Sequence, residues 1–200
     1  MMMTTRPTKA PALGAVVLAA GDSRRMGSPK ALLSTDGRTY LERWLSILAV
    51  AGVREVRIVL GRAERAVRAA VGLSADQVVI NSSPDRGMLS SFRLGLAALP
   101  GDIQGAFLCP VDHPGVLVDD LRALASALRA GGIAVPVHGG RRGHPVLFAA
   151  ALFDELHAAP LSVGARAVVH ASPDRVVEVP ASSGVLRNVN TPSDRGSSEP

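Results

Sequence analysis

Residues 18–32 have the sequence LAAGDSRRMGSPKAL, in which an apolar start leads into a glycine-containing, basic segment. It continues a short apolar run, residues 15–20, that predicts a buried strand. Gly21 and Gly27 then permit backbone conformations that other residues resist, and they let main-chain amides approach a ligand closely. Because consecutive amides in such a turn form a concavity that binds anions, the stretch predicts a strand followed by a phosphate-binding loop.

Polar and basic side chains of the same loop also favour a phosphate ligand. Ser23 supplies a hydroxyl group, and Arg25 and Lys30 supply positive charge. The loop is not that of the common ATPases, which needs Gly-Lys-Ser/Thr leading into a helix, and its glycine spacing does not fit the dinucleotide-binding fingerprint. The alternative is an ordinary strand-to-helix turn whose basic residues lie at the surface.

Beyond the loop, predicted strands and helices alternate. Short apolar runs indicate buried strands, and apolar residues at helical spacing indicate helices. Four consecutive strand–helix units imply an α/β domain with a mostly parallel sheet and helices on both of its faces. The predicted strands are residues 15–20, 55–60, 77–80 and 106–111, and the predicted helices are residues 39–51, 62–71, 89–99 and 118–130.

The pattern changes in the last third of the chain. Two apolar segments, residues 133–137 and 145–148, flank the glycine- and arginine-rich residues 138–144. This arrangement predicts a hairpin-like excursion over an otherwise parallel sheet. Two more helices, at residues 149–157 and 163–171, and a last strand at 175–179 are predicted to follow.

The chain of 200 residues has the length of one domain. Its polar ends predict flexible tails at residues 1–12 and 195–200, around a single domain at residues 13–194. Cys109 is the only cysteine in the sequence, so no disulfide can form within the chain, and a reducing, cytoplasmic setting is expected. Since Cys109 lies within an apolar strand, we expect it in the core.

Composition also restricts the ligand. The net charge is +5, but the basic residues are scattered and aromatic residues make up only 3% of the chain, so a nucleic-acid surface is disfavoured. Phosphates on a small molecule fit the charge better. No apolar run reaches the roughly 20 residues that a membrane-spanning helix needs.

Three polar features follow directly on predicted strands: the Gly21 loop, residues 81–87, and Asp112. Ligands of open parallel sheets bind at the carboxyl ends of the strands, so we expect these features to share one site. The carboxylate of Asp112 suits Mg²⁺, which prefers oxygen ligands. The alternative is that Asp112 merely forms a turn before Pro114.

At this point the residues support a resemblance to a known family. The stretch at 18–32 closely resembles the LAAGxSxRMGxxK signature of the MobA-like nucleotidyltransferases, and within that family the chain looks most like the molybdenum-cofactor cytidylyltransferases. Four further segments resemble family motifs in the same order: GMLSSFRLGL at 87–96, PVDHP at 110–114, GHPVLF at 143–148 and NVNTP at 188–192. The fold that this resemblance implies is a Rossmann-like three-layer α/β/α sandwich of the nucleotide-diphospho-sugar transferase type, with 13–194 as the nucleotidyltransferase domain.

The resemblance, together with the chemistry of the residues, implies a division of roles within the site. Arg25, Lys30 and Asp112 are the candidate catalytic residues, and Asp112 and Asn190 are the candidate ligands of Mg²⁺. His113 and His144 are candidate acceptor-binding residues, although His113 could instead cap a turn. The residues expected to bind the nucleotide are Leu18, Ala19, Ala20, Gly21, Ser23, Lys30, Asn81, Gly87 and Ser91.

Several positions depart from the cytidylyltransferase pattern. That pattern has aspartate at both positions where this chain has Asn188 and Asn190, whereas the related guanylyltransferases often carry asparagine at both. His113 stands where glutamine is usual. Ala20 and Pro29, in contrast, resemble the cytidylyltransferases. The choice between CTP and GTP therefore rests on opposing residues.

The activity that we expect is transfer of CMP from CTP to the phosphate of the molybdenum-bearing molybdopterin, with release of pyrophosphate. The alternatives are GMP transfer from GTP to the same acceptor, transfer to another phosphorylated small molecule such as a sugar or isoprenoid precursor, and a non-catalytic nucleotide-binding or chaperone-like protein. The expected partners are CTP or GTP, a molybdopterin-type acceptor, and a molybdoenzyme or its chaperone. Neither nucleic acid nor a membrane is expected as a partner.

Overall fold

The computed structural model describes residues 12–21 and 28–189. The mostly parallel sheet and the alternation of strands and helices are confirmed. In the described part of the chain the strands are β1 (Leu13–Ala19), β2 (Ser34–Thr35), β3 (Arg38–Thr39), β4 (Glu55–Leu60), β5 (Val78–Ile80), β6 (Gly105–Pro110), β7 (Ile133–His138), β8 (Arg141–Arg142), β9 (Val146–Ala149) and β10 (Val176–Pro180). The α-helices there are α1 (Tyr40–Val50), α2 (Glu64–Ala70), α3 (Met88–Ala97), α4 (Val118–Ala127), α5 (Phe153–Ala158) and α6 (Arg166–Ala171).

The main sheet has the strand order β10-β7-β9-β6-β1-β4-β5, with β8 paired to β7 at the side. Strand β1 lies at the centre of its parallel part, between β4 and β6. Both neighbours bury apolar residues, and β1 itself is buried over nearly its whole length. A strand covered on both faces must be apolar throughout, which is why this run could be recognised in the sequence.

The segment around residues 133–149 corrects the predicted excursion over the sheet. Its last strand, β9, is part of the main sheet, where it runs antiparallel between β6 and β7. All four residues of β9 are buried, so the segment enters the core instead of covering the sheet. The two predicted arms of the hairpin do pair antiparallel, as β7 and β9, and residues 141–142 add to β7 the strand β8, which the sequence did not predict.

Two buried clusters, one on each face of the sheet, give the three layers of the predicted sandwich. Helices α1, α2 and α4 contribute to one cluster, in which Trp44 and Leu121 are buried. Helices α3, α5 and α6 contribute to the other, in which Phe92 and Phe148 pack with ring centroids 5.8 Å apart. Cys109 is buried in the first cluster, as expected, and this burial raises the pKa of its thiol.

The observed helix boundaries differ from the predicted ones where local capping sets the end of a helix. Thr39 caps α1 and accepts a hydrogen bond from the amide of Glu42, whose carboxylate in turn accepts from the amide of Thr39. The predicted helix at 149–157 begins instead with a 3₁₀ turn, Ala150–Leu152. Among the described residues no helix is long and apolar enough to cross a membrane.

Helix α3 approaches the central strand closely because Gly95 has no side chain. A Cβ atom at this position would lie 2.2 Å from Cγ1 and 3.1 Å from Cβ of Val16, so rotation of the valine could not relieve the contact. Gly101, by comparison, has no heavy atom within 4 Å of such a Cβ. Gly95 therefore sets how closely α3, and the loop that precedes it, sit on the sheet.

We expect Gly95→Ala to lower the free energy of unfolding by about 1–2 kcal/mol. Overpacking a core contact costs about 1–3 kcal/mol, and the better helix propensity of alanine returns up to about 1 kcal/mol. Gly101→Ala is the matched control and should change the value by less than about 0.5 kcal/mol. Equal urea midpoints for the two variants would contradict the close contact.

Candidate functional site

The carboxyl ends of three neighbouring strands meet at one edge of the sheet. Ala19 at the end of β1 is level with Leu60 at the end of β4, and Leu18 is level with Pro110 at the end of β6. The amide of Asn81 continues this edge, because it donates to the carbonyl of Leu60 at 2.8 Å. Gly21, residues 81–87 and Asp112 therefore follow strands that end at the same edge of the sheet, as the sequence predicts.

The closest contact between two candidate catalytic residues is an ion pair. Nζ of Lys30 lies 2.7 Å from Oδ2 of Asp112, and each side chain is 19% exposed. Lys30 begins a short 3₁₀ helix, Lys30–Leu32, after the glycine-rich loop, whereas Asp112 follows β6. Two predicted site residues separated by 82 positions in the sequence thus meet directly. Ser23 and Arg25 lie outside the described residues.

The start of the glycine-rich loop lies close to the chain that follows β4. A Cβ on Gly61 would lie 2.4 Å from the carbonyl oxygen of Ala20, so only glycine permits this approach without displacement. Ala20 is buried, and the carbonyl of Leu18 accepts from the amide of Val111 at 3.1 Å. These backbone contacts hold the entry to the loop against both neighbouring strands.

The closing segment of the domain returns to Asp112. The amide of Val189 donates to the backbone carbonyl of Asp112 at 2.9 Å. Asn188 precedes this contact and Asn190 follows it, but Asn190 lies outside the described residues. The closing motif therefore meets the backbone of Asp112, the residue with which the sequence associates it, and its second asparagine stays a predicted ligand.

Residues 81–87 are held to α3 by a buried amide. Nδ2 of Asn81 donates to the hydroxyl of Ser91 at 2.9 Å and to that of Ser90 at 3.2 Å. Its Oδ1 accepts from the amide of Ser83 at 2.9 Å. Both donors of the Asn81 side chain are thus used within the loop and the helix. Gly87 adopts a φ of 95°, a conformation that favours glycine, where the loop enters α3.

Two histidines lie beside the ion pair. The rings of His113 and His144 meet edge to face with centroids 5.1 Å apart, and Nε2 of His113 is 4.0 Å from Oδ1 of Asp112. Burial lowers the pKa of His113, an effect that Asp112 partly offsets. Burial, together with the neighbouring His113, lowers the pKa of His144 to about 4. Both rings are therefore neutral near pH 7.

A cleft of about 330 Å³, which we call the polar cleft, joins the two candidate acceptor residues to the ion pair. Its lining includes Asp112, His113, Arg141, His144 and Asn188. The two arginine positions of β8 and Asn188 thus face the same space as the candidate catalytic carboxylate. Their place in this lining could not be read from the sequence, because it depends on how β8 folds back against the closing segment.

The closing segment is fixed by a carboxylate that the sequence analysis missed. Asp120, buried in the first turn of α4, accepts hydrogen bonds from the amide of Leu117 at 2.9 Å and from the amide and hydroxyl of Ser182 at 2.8 and 2.7 Å. Val185, three residues further on, accepts from the amide of His144 at 3.0 Å. The only sign of this role in the sequence was an acidic residue in the first turn of a predicted helix. Such a residue more often caps its own helix than bonds to a distant segment.

Close backbone contacts complete this wall of the polar cleft. A Cβ on Gly184 would lie 1.8 Å from the carbonyl oxygen of Gly115, and one on Gly143 would lie 2.4 Å from that of Val185. Both contacts are backbone against backbone, so no side-chain rotation could accommodate a larger residue. They hold the closing segment against the loop after Asp112 and against the turn that carries His144.

Comparison with known proteins agrees with this geometry. The MobA-like NTP transferase domain model matches residues 15–176. The chain is 36% identical to the nicotine blue oxidoreductase of Paenarthrobacter nicotinovorans over 72% of this chain and 74% of that protein. It is 33% identical to the probable molybdenum cofactor guanylyltransferase of Rhodopirellula baltica over 97% and 95% of the two chains, and 24% identical to the molybdenum cofactor cytidylyltransferase of Escherichia coli K12 over 92% and 93%.

Solved structures show the same architecture. The crystal structure of Rv0371c from Mycobacterium tuberculosis H37Rv superposes with a TM-score of 0.83 and 33% identity, covering 94% of this chain and 96% of that one. A structure of the same protein in complex with manganese gives a TM-score of 0.74 and 30% identity, covering 92% and 96%. The family model matches most of the chain, and Lys30, at the end of the glycine-rich stretch, meets the carboxylate of Asp112 at the sheet edge. The chain therefore belongs to the MobA-like NTP transferase family.

Proposed function

We propose that this chain transfers a nucleoside monophosphate from a nucleoside triphosphate to the phosphate of a molybdopterin-type acceptor, with pyrophosphate as the other product. The observation that carries the proposal is the Lys30–Asp112 pair, in which a cation and a carboxylate meet at the carboxyl edge of the sheet, at the end of the loop that we propose binds phosphate. Support for the acceptor comes from the relatives named for molybdenum-cofactor transfer, which match along nearly the whole chain.

The loop at 18–32 supplies the triphosphate site of this proposal. Main-chain amides around Gly21 would bind the phosphate oxygens, and the ammonium group of Lys30 would offset their charge. Arg25, in the same loop, is proposed to add a second positive charge. Asn81 acts indirectly: its amide fixes residues 81–87 against α3, and the base is contacted by groups on that loop.

A magnesium ion fits the donors that the site offers. Mg²⁺ in nucleotide sites is bound through one or two carboxylates, with phosphates and water completing its coordination, and Asp112 provides one carboxylate here. Among the described residues no group of three or more histidine, cysteine or acidic side chains could hold a metal ion, and the proposal assigns the remaining ligands to the phosphates and water. Asp112, helped by Asn190, would hold the ion, which when bound neutralises charge on the triphosphate. The relative crystallised with manganese supports a divalent cation in this family.

The reaction needs positioning more than proton transfer. An oxygen of the acceptor phosphate attacks the α-phosphorus of the nucleotide, one P–O bond forms, and the bond to the β-phosphate breaks with departure of pyrophosphate. The nucleophile is already an anion near pH 7, so no side chain has to remove its proton. His113 and His144, both neutral at that pH, orient the acceptor without adding charge.

The first test removes each member of the ion pair. We expect Lys30→Ala to lower kcat about a hundredfold, since one group that stabilises developing charge is worth roughly that factor. Asp112→Asn should lose most turnover and raise the Mg²⁺ concentration required, while the fold persists because the change opens no cavity. Asp119→Asn is the control, because this carboxylate is 90% exposed on α4.

Pyrophosphate release at several Mg²⁺ concentrations measures these effects. Normal turnover of Asp112→Asn at normal Mg²⁺ would place the metal elsewhere. Asn190→Asp should be tolerated or should strengthen Mg²⁺ binding, because it adds a charged ligand. Release of no pyrophosphate with any acceptor would favour a binding protein, or redox chemistry of the kind that the oxidoreductase relative is named for.

The second test concerns the nucleotide. We propose CTP as the preferred donor, on the basis of Ala20 and Pro29, with GTP as the alternative because of Asn188 and Asn190. Relatives named for each nucleotide match this chain, so the family alone does not decide. We expect a higher kcat/KM for CTP with the same acceptor, and a larger value for GTP would reverse the assignment.

The third test concerns His144. Its folded-state pKa of about 4 lies below the ordinary value of 6.5, so between these values the unfolded chain binds a proton that the folded chain does not. Its neutral form thus stabilises the fold fully above pH 6.5, and this contribution is lost as the pH falls towards 4. At about 1.4 kcal/mol per pKa unit, the loss amounts to about 3 kcal/mol.

Urea unfolding from pH 7 to pH 4 checks this dependence. We expect the stability of His144→Gln to fall less steeply over that range than that of the unsubstituted protein. His157→Gln, at an exposed position on α5, should reproduce the unsubstituted profile. Parallel profiles for all three proteins would show that His144 does not titrate with folding.

A further inference from the structure

The loop that begins at Asp112 runs beside the closing segment, residues 182–189. The amide of Val189 donates to the carbonyl of Asp112 at 2.9 Å. Further along the loop, a Cβ added to Gly184 would lie 1.8 Å from the carbonyl oxygen of Gly115. The partner in the closing segment moves back from 189 to 184 as the loop advances from 112 to 115, so the two stretches lie antiparallel to each other.

Asp120 links the far ends of these two stretches. Its Oδ2 accepts from the amide of Leu117 at 2.9 Å and from the hydroxyl of Ser182 at 2.7 Å, and its Oδ1 accepts from the amide of Ser182 at 2.8 Å. The carboxylate is buried, so a donor lost from either side would not be replaced freely by water. A residue that only capped α4 would bond to Leu117 alone, whereas two of these three bonds go to the closing segment.

Both stretches contribute to the candidate site. Asp112 belongs to the first and Asn188 to the second, and both line the polar cleft. The carbonyl of Val185, also in the closing segment, accepts from the amide of His144 at 3.0 Å, and His144 lines the same cleft. The relative positions of the carboxylate, the asparagine and the histidine therefore depend on how the two stretches are aligned.

We propose that Asp120 and Ser182 are positioning residues for turnover, which keep the Asp112 loop and the closing segment aligned so that Asp112, Asn188 and His144 hold their places in the polar cleft. This inference rests on the proposed nucleotidyl transfer. Neither Asp120 nor Ser182 is among the described residues that line the cleft, so both act through the segments that they join. Their effect on the rate can still be large, because a displacement of about 1 Å in a reacting group can cost roughly a hundredfold.

Amide hydrogen exchange measured by NMR, without nucleotide or metal, tests the alignment itself. In Ser182→Ala the amides of Val189 and His144 should exchange about tenfold faster or more, because a hydrogen bond to a carboxylate changes a local opening equilibrium by roughly that factor. The amide of Asn81, which bonds to Leu60 on the nucleotide side, should keep its rate. Ser74→Ala is the matched control: it removes a serine hydroxyl that donates to Gln77 at 2.9 Å, before the opposite end of β5.

Steady-state kinetics test the consequence for turnover. At saturating Mg²⁺ we expect Ser182→Ala to lower kcat about tenfold and Asp120→Asn to lower it further. The KM of the nucleotide should stay within about twofold, since residues 81–87 are held by Asn81 and not by the closing segment. Assays run where circular dichroism shows each variant folded separate this result from a loss of stability, because a purely structural contact would leave kcat per folded molecule unchanged.

The two measurements also separate this inference from the proposed function. Unchanged exchange at Val189 and His144 in both variants would overturn the alignment, and faster exchange with an unchanged kcat would overturn its role in turnover. Faster exchange in a protein that, unsubstituted, releases no pyrophosphate with any acceptor would contradict nucleotidyl transfer and leave the alignment by Asp120 and Ser182 supported.

Discussion

The ion pair between Lys30 and Asp112 is the contact on which the organisation of the site depends. Pairs at this level of exposure add little net stability, because the attraction is largely offset by desolvation and side-chain ordering. Their value here is positional. One partner follows the glycine-rich loop and the other follows β6, so the contact joins the end of that loop to the strand that carries the carboxylate. In the proposed reaction, Lys30 would contact the phosphate chain and Asp112 would contact the divalent ion, from neighbouring points on one sheet edge.

The closing segment, which forms a wall of the polar cleft, is held by close backbone contacts. The closing segment lies so close to Gly115 and Gly143 that main-chain atoms touch where side chains would normally separate them. Asp120 holds the beginning of that segment through Ser182, and Val189 holds its end on the carbonyl of Asp112. A segment fixed at both ends, with a short 3₁₀ helix at Ser183–Leu186 between them, can present Asn188 to the polar cleft.

Much of the fold could be predicted because its central strands are buried on both faces and are therefore apolar throughout. The place of β9 could not, since a short apolar run has no period that distinguishes a strand inserted in the sheet from one lying over it. The two-residue strand β8 was missed for a related reason, because it consists of two exposed arginines. Tertiary pairing, and not local preference, defines both strands.

Only part of the candidate site, likewise, could be predicted from the sequence. Lys30 and Asp112 could be placed at one edge because each follows a recognisable strand or loop, but their direct contact depends on side-chain geometry that no spacing encodes. Asn81 could be placed at the same sheet edge for the same reason, whereas its side-chain hydrogen bonds with Ser83, Ser90 and Ser91 could not be foreseen. Asp120 had no recognisable partner in the sequence, since Ser182 lies 62 positions away.

The antiparallel insertion of β9 also constrains the order in which a growing polypeptide can complete its sheet. Strands β1, β4, β5 and β6 pair with one another, so this half can assemble once synthesis has passed residue 110. Strand β7 is made next but reaches that half only through β9, which emerges later. Until then β7 can do no more than fold back on β8. During translation the half that carries Lys30 and Asp112 can thus form first, and β7 joins it only after the ribosome has moved past residue 149.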